Sequence, residues 1–515
     1  MSNKLVKAGT FIFLVTFISK ILGFLRETFI AYHFGTSVES DAYFVALTPS
    51  TLAITFSISL SSVFLPMFIK YANDRHAAFI FSNRILFLFF SLSTFVYLLV
   101  IIKGDLFVSL IAPGMSSQGK TLAVEMLKIL FPLVFIVIAI QLYTVMLNSF
   151  DCYFIPTASI LPNNLLLILY LLFIGDSFGI TSVSYVTLFS FLIQFIILYI
   201  YLRTFGYRFR TSNFFDPTTK EFMVLLFPIL ISTAFSQLNA VVDRFLASTL
   251  QEGSISALMY SYKLRTLILG IFVTSVISVT APKISRLAHE NSLKEVGHVT
   301  RESVLIVLLL LAPLTCIFML FSREIIEILF ERGEFGKEAT LLTSRIFFYS
   351  SFAILGAGLR DIIIRTFYAF GDTKSPTKII IAGLILNMML SFLFVKLMGL
   401  SGLGLSLSMA MIFSSVAIGI KLNKIVPDIW NSKPFYMSVL KIAISAILST
   451  IIFIFTKSIW AFAFDISDSF SIKSIILIIC CASYCLIFIL FLLLFKVEVL
   501  ISFLRNTVIP KTGKG

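Results

Sequence analysis

Charge is scarce in this chain. Asp, Glu, Lys and Arg together make up 13% of its 515 residues, against about a quarter in an ordinary soluble domain. Histidine is scarcer still. His33, His76, His289 and His298 fall in loops or at the ends of apolar segments and form no metal constellation. The five cysteines, Cys152, Cys316, Cys480, Cys481 and Cys485, lie in or beside apolar stretches with no zinc spacing to histidine. They read as small apolar fillers, not as metal ligands or a disulfide framework. No HExxH, P-loop, GxSxG or dinucleotide fingerprint occurs. These absences remove the metalloprotease, nucleotide-driven and serine-hydrolase readings. The period-two alternation of a membrane barrel is missing as well, which leaves helices as the only way to cross a bilayer.

Apolar surface is abundant instead. Hydrophobic residues make up 58% of the chain, 57 of them phenylalanine, and the mean hydropathy is +1.02. The net charge of +14 sits mostly in short loops between apolar segments, which points to a membrane and not to nucleic acid. A helix needs about 20 apolar residues to span. Fourteen segments qualify, near 9–33, 42–69, 82–102, 123–148, 155–175, 180–202, 222–249, 255–281, 300–321, 339–368, 376–399, 402–422, 436–457 and 471–495. The first, interrupted by Lys20 and Arg26, reads as a retained helix and not a signal peptide. Lys4, Lys7, Lys70, Arg75, Arg84, Arg203, Arg208, Arg210, Arg505, Lys511 and Lys514 fall on one side of the resulting topology, so both termini are expected in the cytoplasm. Trp430 and Trp460 flank the thirteenth segment as interfacial anchors.

An internal repeat organises these segments. Arg26-Glu-Thr-Phe-Ile-Ala parallels Asp243-Arg-Phe-Leu-Ala, with Ala31 and Ala247 216 residues apart. Pro66 and Pro282, each expected to end its helix, are also 216 apart, and Pro156 and Pro376 are 220 apart. Spans 1–6 and 7–12 thus read as two copies of one unit. Six is even, so both copies have the same orientation, as parallel repeats in transporters do. The expected fold is an all-α polytopic membrane protein of 14 transmembrane helices. An N-lobe occupies 1–210 and a C-lobe 211–430, and two extra helices with a tail occupy 431–515.

Charges inside spans carry the functional signal, because each costs at least about 2.5–3.5 kcal/mol at the bilayer centre. They are Lys20, Arg26 and Glu27 in the first span, Asp41 opening the second, and Asp243 with Arg244 in the seventh. Lys263 and Arg265 follow in the eighth, and Arg360, Asp361 and Arg365 in the tenth. An excess of bases in such places draws an anionic substrate, Arg by bidentate geometry and Lys as a point charge. For Arg244, Arg265 and Arg365 an internal ion pair or a snorkelling side chain is the competing account.

Several motifs resemble the MurJ/MviN lipid II flippases. They are Ser19-Lys-Ile-Leu-Gly-Phe-Leu-Arg-Glu, Asp41-Ala-Tyr-Phe-Val-Ala, Asp243-Arg-Phe-Leu-Ala-Ser, Leu329-Phe-Glu-Arg-Gly-Glu-Phe and Phe367-Tyr-Ala-Phe-Gly-Asp-Thr-Lys-Ser-Pro. The resemblance implies a two-lobed, V-shaped transporter of the bacterial inner membrane. Such a transporter would translocate lipid II, an undecaprenyl-pyrophosphate peptidoglycan precursor, by alternating access, with the lipid tail along the last two helices. It implies substrate contacts at Ser19, Lys20, Arg26, Glu27, Asp41 and Lys263, no enzymatic activity and no organic cofactor. Na⁺ bound through Asp243 and Asn387, or the membrane potential, would drive the cycle. Membrane lipids and the cell-wall synthesis machinery are the implied partners. The family's basic residue in the second span is absent from Pro49-Ser-Thr-Leu-Ala-Ile-Thr, and Ser391 stands where a second sodium-binding acid is usual. A flippase for another undecaprenyl-linked glycan, of capsule or O-antigen type, therefore stays open, and behind it a cation-coupled drug exporter.

Overall fold

A computed structural model describes residues 2–71, 74–175, 177–210, 216–466 and 469–497, with the side chains of 2–11, 13, 232, 236 and 457–466 excepted. The side chains of Lys4, Lys7 and Trp460 and the tail bases Arg505, Lys511 and Lys514 lie outside the described set. The elements are α1 (Ser2–Phe34), α2 (Val38–Ala46), α3 (Thr48–Lys70), α4 (Arg75–Ile111), α5 (Ser117–Leu130) and α6 (Leu133–Ser149). Next come α7 (Phe154–Ala158), α8 (Ile160–Phe173), α9 (Gly179–Arg203), α10 (Pro217–Ser248), α11 (Ser254–His289) and α12 (Leu293–Leu320). Last are α13 (Ser322–Phe330), α14 (Lys337–Ala369), α15 (Lys374–Met398), α16 (Ser401–Leu422), α17 (Lys433–Ile466) and α18 (Phe470–Leu494).

Thirteen spans among the described residues are long and apolar enough to cross a membrane. They coincide with the second to fourteenth segments read from the sequence. The first expected segment lies in α1, a 33-residue helix outside that set of thirteen. Proline explains where spans break. The second divides into α2 and α3 at Leu47, just ahead of Pro49, and the fourth into α5 and α6 beside Pro132. Pro at the start of a helix loses no hydrogen bond, because its missing N–H has no partner there anyway. The expectation that Pro66 and Pro282 end their helices is corrected. Both sit inside, and α3 and α11 run on to Lys70 and His289. A proline interrupts a single rung, and the rest of the ladder holds the helix in an apolar solvent.

The helices pack as two compact units, each described by itself. The first holds residues 1–260 with 332–339, the second 261–331 with 340–515. In the first, α3 packs on α6 and α10, α8 on α1 and α9, and α2 on α5. Its core is aromatic. Phe64 stacks on Phe68 and Phe81, and Phe81 meets Phe222 edge-on. Arg84 holds Asp216 at 2.8 Å, which pins the start of α10 into this unit. In the second unit α15 pairs with α16, and α17 and α18 pack together on α12. Tyr484 joins the last two helices by donating to the Ala446 carbonyl at 3.1 Å, and Lys473 on α18 meets Glu327 on α13 at 2.5 Å. Duplication and packing divide the chain differently: the repeat boundary lies near residue 210, whereas the packing boundary falls at Tyr260/Ser261, inside α11.

The backbone itself repeats. After α6, Asp151 N–H donates to Asn148 O at 3.1 Å and Cys152 N–H to Leu147 O at 3.0 Å, with Asp151 at φ 57°. After α14, 220 residues on, Gly371 N–H donates to Tyr368 O at 3.0 Å and Asp372 N–H to Phe367 O at 3.1 Å, with Gly371 at φ 73°. Each is a helix stop with one left-handed residue. Gly179 and Gly399, at φ 67° and 59°, mark the next equivalent pair.

Asp372 accepts the Ser375 N–H at 2.9 Å and so restrains the entry to α15. That bond, chiefly, holds its carboxyl below the usual carboxylate range. A carboxyl depressed in the folded state stabilises above its unfolded value of about 4 and ceases to as pH falls through the folded one. Asp372→Ala should lower the unfolding temperature of the detergent-solubilised protein at pH 7, by a loss of about 0.5–2 kcal/mol. The gap to the parent should close below about pH 3, and a gap independent of pH would refute the capping role.

Candidate functional site: a polar cavity among the spans of the first unit

Ser19 and Arg26 are seven residues apart on α1, two turns, and so share a face. That face meets Asn164 on α8. Asn164 Nδ2 donates to the Ser19 carbonyl at 3.3 Å and to its Oγ at 3.4 Å, and Arg26 Nη1 donates to Asn164 Oδ1 at 3.4 Å. Arg26 Nη2 donates to Glu27 Oε1 at 2.7 Å, and Glu27 is only 3% exposed. The neighbouring Asn163 accepts from Ser190 Oγ at 3.0 Å and donates to Gln194 Oε1 on α9 at 3.2 Å. One helical turn from Ser190, Thr187 Oγ1 pairs with Tyr43 OH at 3.0 Å. Beside this network lies a cavity of about 250 Å³, bounded by Arg26, Ser57, Gln141, Asn163, Asn164 and Gln194, with Phe191 among its apolar walls.

The structure thus brings Ser19, Arg26 and Glu27 together. It supplies partners that sequence reasoning missed: Asn163, Asn164, Gln194 and Gln141. Their signal was available, since carboxamides in apolar spans carry a cost like that of charges, though smaller. The other singled-out residues lie elsewhere. Lys20 is half-buried on α1, and Lys263 is half-buried on the part of α11 that belongs to the second unit. Asp243, in the first unit, accepts from Asn239 at 3.4 Å, and Asn387, in the second, is buried. Three of the remaining bases have partners within the protein. Arg244 Nη1 donates to the Ala240 carbonyl at 3.3 Å, Arg265 lies over the Tyr262 ring, and Arg360 donates to Asp361 at 2.9 Å. Among the described residues no cluster of three or more His, Cys, Asp or Glu is placed to hold a metal ion.

Asp41 is engaged in a different task. Its Oδ2 accepts the Gly253 N–H at 2.9 Å and its Oδ1 the Ser256 N–H at 2.7 Å, so it caps the start of α11 from a distant part of the chain. The same corner interlocks three backbones. A Cβ on Gly35 would stand 2.3 Å from the Glu334 carbonyl oxygen, one on Gly253 2.3 Å from that of Thr36, and one on Gly333 2.3 Å from that of Tyr32. All three glycines have positive φ. Glu334 N–H donates to Tyr32 O at 2.8 Å, and the fully buried Phe335 meets Tyr260 edge-on. The Leu-Phe-Glu-Arg-Gly-Glu-Phe motif therefore has a structural reading, since its Gly333–Phe335 portion locks onto the end of α1.

An internally duplicated helical chain with a polar cavity buried among its spans is, as a class, a membrane transporter and not an enzyme. The lipid II flippase MurJ family model matches residues 30–474, and the chain belongs to that family. Relatives described as "Probable lipid II flippase MurJ" include one from Buchnera aphidicola subsp. Baizongia pistaciae, 28% identical over 77% of this chain and 79% of its own. Another, from Rhizobium tropici, is 27% identical over 84% of each chain. Among solved structures, a lipid II flippase MurJ in an inward closed conformation aligns with a TM-score of 0.78 at 23% identity, over 97% of this chain and 99% of its own. An inward-facing multidrug-resistance MATE transporter of the MOP superfamily aligns at 0.67 and 14% identity, over 81% of this chain and 96% of its own. At these identities the likeness to solved structures is one of fold.

Left-handed backbone costs a non-glycine residue about 1–2 kcal/mol, and the close approach at Gly253 adds a collision with main chain. Gly253→Ala should sharply reduce accumulation of folded protein in the membrane. Gly371→Ala, where φ is positive but nothing lies within 4 Å of the added carbon, should be tolerated with a modest fall in melting temperature. Equal behaviour of the two variants would overturn the interlock.

Proposed function

We propose that this protein moves lipid II from the inner to the outer leaflet of the bacterial cytoplasmic membrane by alternating access, with both termini in the cytoplasm. The observation that carries the reading is Arg26, a guanidinium held within the spans of the first unit at the wall of a polar cavity. Such a group is too costly to keep in hydrocarbon without a task. Ser19, Lys20, Arg26, Glu27, Asp41 and Lys263 are the proposed substrate-handling set, with three bases against two acids. Lys20 and Lys263 would meet the diphosphate as point charges. Asp41 would act through α11, the helix that it caps and that carries Lys263. The excess of bases in loops on one side supports the orientation.

No side chain here performs covalent chemistry. The work is to shelter a polar head from hydrocarbon, and each charge moved through 100 mV contributes about 2.3 kcal/mol of drive. The membrane potential or a sodium gradient is the proposed source. Asp243 offers a carboxylate and Asn387 and Ser391 neutral oxygens, hard donors that suit a small cation. Replacing external sodium with potassium should slow transport in proteoliposomes if sodium contributes, and an unchanged rate at fixed potential would assign the drive to voltage.

One observation keeps a second glycolipid in view. The second-span segment 50–56 has no base, and its Ser50 and Thr51 hydroxyls bond to the Leu130 and Thr48 carbonyls. A member with one cation fewer could move another undecaprenyl-linked glycan. In a flippase-depleted strain, the parent should restore growth while Arg26→Ala, accumulating normally, should not. Growth of that variant, or failure of the parent, would count against lipid II as the substrate.

A further inference from the structure

We infer that the cavity beside Arg26 is a saccharide subsite, which takes one sugar ring of the glycolipid head; the inference rests on the flippase reading above. The chemistry of the wall decides the ligand class. Arg26 is the single cation of the lining and already donates to Glu27 at 2.7 Å, so it presents hydrogen-bond donors and little net charge. A diphosphate placed there would bring more negative charge than that pair could balance. A neutral, hydroxyl-rich ring would not.

The rest of the wall has the composition that suits such a ring. Gln141, Asn163, Asn164 and Gln194 each present an acceptor and a two-hydrogen donor in one plane, a spacing that matches vicinal hydroxyls or an acylamino group. Asn163, Asn164 and Gln194 are each more than nine-tenths buried. The Nε of Arg26 is buried without a hydrogen-bond partner among the described residues, so the guanidinium keeps a donor in reserve. Phe191 offers an aromatic face to the C–H side of a ring. The exposed Ile54 and Ile160 mark the edge at which a ligand enters.

Size points the same way. A cavity of about 150 Å³ holds one benzene, so about 250 Å³ accommodates a single hexose-sized ring and not a disaccharide. A structural water cluster would need polar walls but no aromatic face.

The test uses the full-length protein in nanodiscs with two defined probes, undecaprenyl pyrophosphate and lipid II, which carries sugars on the same anchor. The parent should bind lipid II about tenfold or more tightly than undecaprenyl pyrophosphate. Gln194→Leu removes a wall carboxamide, and Ile54→Trp obstructs the edge from an exposed position without touching the hydrogen-bond network. Both should erase that margin and leave undecaprenyl pyrophosphate binding unchanged, which also certifies their fold. A margin that survives in both variants, or an equal loss for both lipids, overturns the subsite and leaves the flippase reading standing. If the parent binds neither lipid better than phosphatidylglycerol, the flippase reading falls and the subsite with it.

Discussion

Asn164 is the side chain on which the first unit's polar interior depends. It stands in an apolar run on α8, and its single carboxamide serves two points of α1, donating at Ser19 and accepting from Arg26. In water such bonds would exchange with solvent at little cost. In hydrocarbon an unmade one costs several kcal/mol, so α1 and α8 are held in one register and the guanidinium in one orientation. From that fixed point the network spreads through Asn163, Ser190 and Gln194 on α8 and α9. Each carboxamide is committed in part and keeps some capacity facing the cavity.

The junction at the end of α1 solves a different problem. Three segments far apart in sequence meet there through main chain, at distances that no side chain could bridge without clash. Glycine is required at 35, 253 and 333 on two counts, the sign of φ and the approach of a carbonyl. Asp41 completes the junction by satisfying two N–H groups at the start of α11, which would otherwise be buried donors without acceptors. Because α11 passes from one packing unit into the other, the carboxylate's influence extends along a helix well past its own contacts.

The two copies of the repeat have kept their backbone turns and let their side chains diverge. The stop after α6 and its counterpart after α14 share the same hydrogen bonds, although one uses Asp151 and the other Gly371 as the left-handed residue. In the second copy Asp372 also caps the next helix. In the first, the equivalent Cys152 has no carboxylate to do so. Geometry is what a membrane helix pair cannot vary, since every main-chain group must find a partner, whereas the side chain that supplies the turn can change.

Periodicity and hydropathy made most of the fold legible in advance, because spans are set by a local balance of apolar length against bilayer thickness. The helix limits at 179–203, 374–398 and 401–422 sit within a few residues of those read from the chain, and the charged positions of α1 announced themselves by their cost. Partnership could not be read that way. Nothing local tells Asn164 that it will face Ser19 and Arg26 from 145 and 138 positions away, or Asp41 that it will cap a helix more than 200 residues downstream. Hydrogen bonds of that kind depend on which helix faces come together, and tertiary packing alone decided that Arg26 would border a cavity while Asp41 would brace a junction.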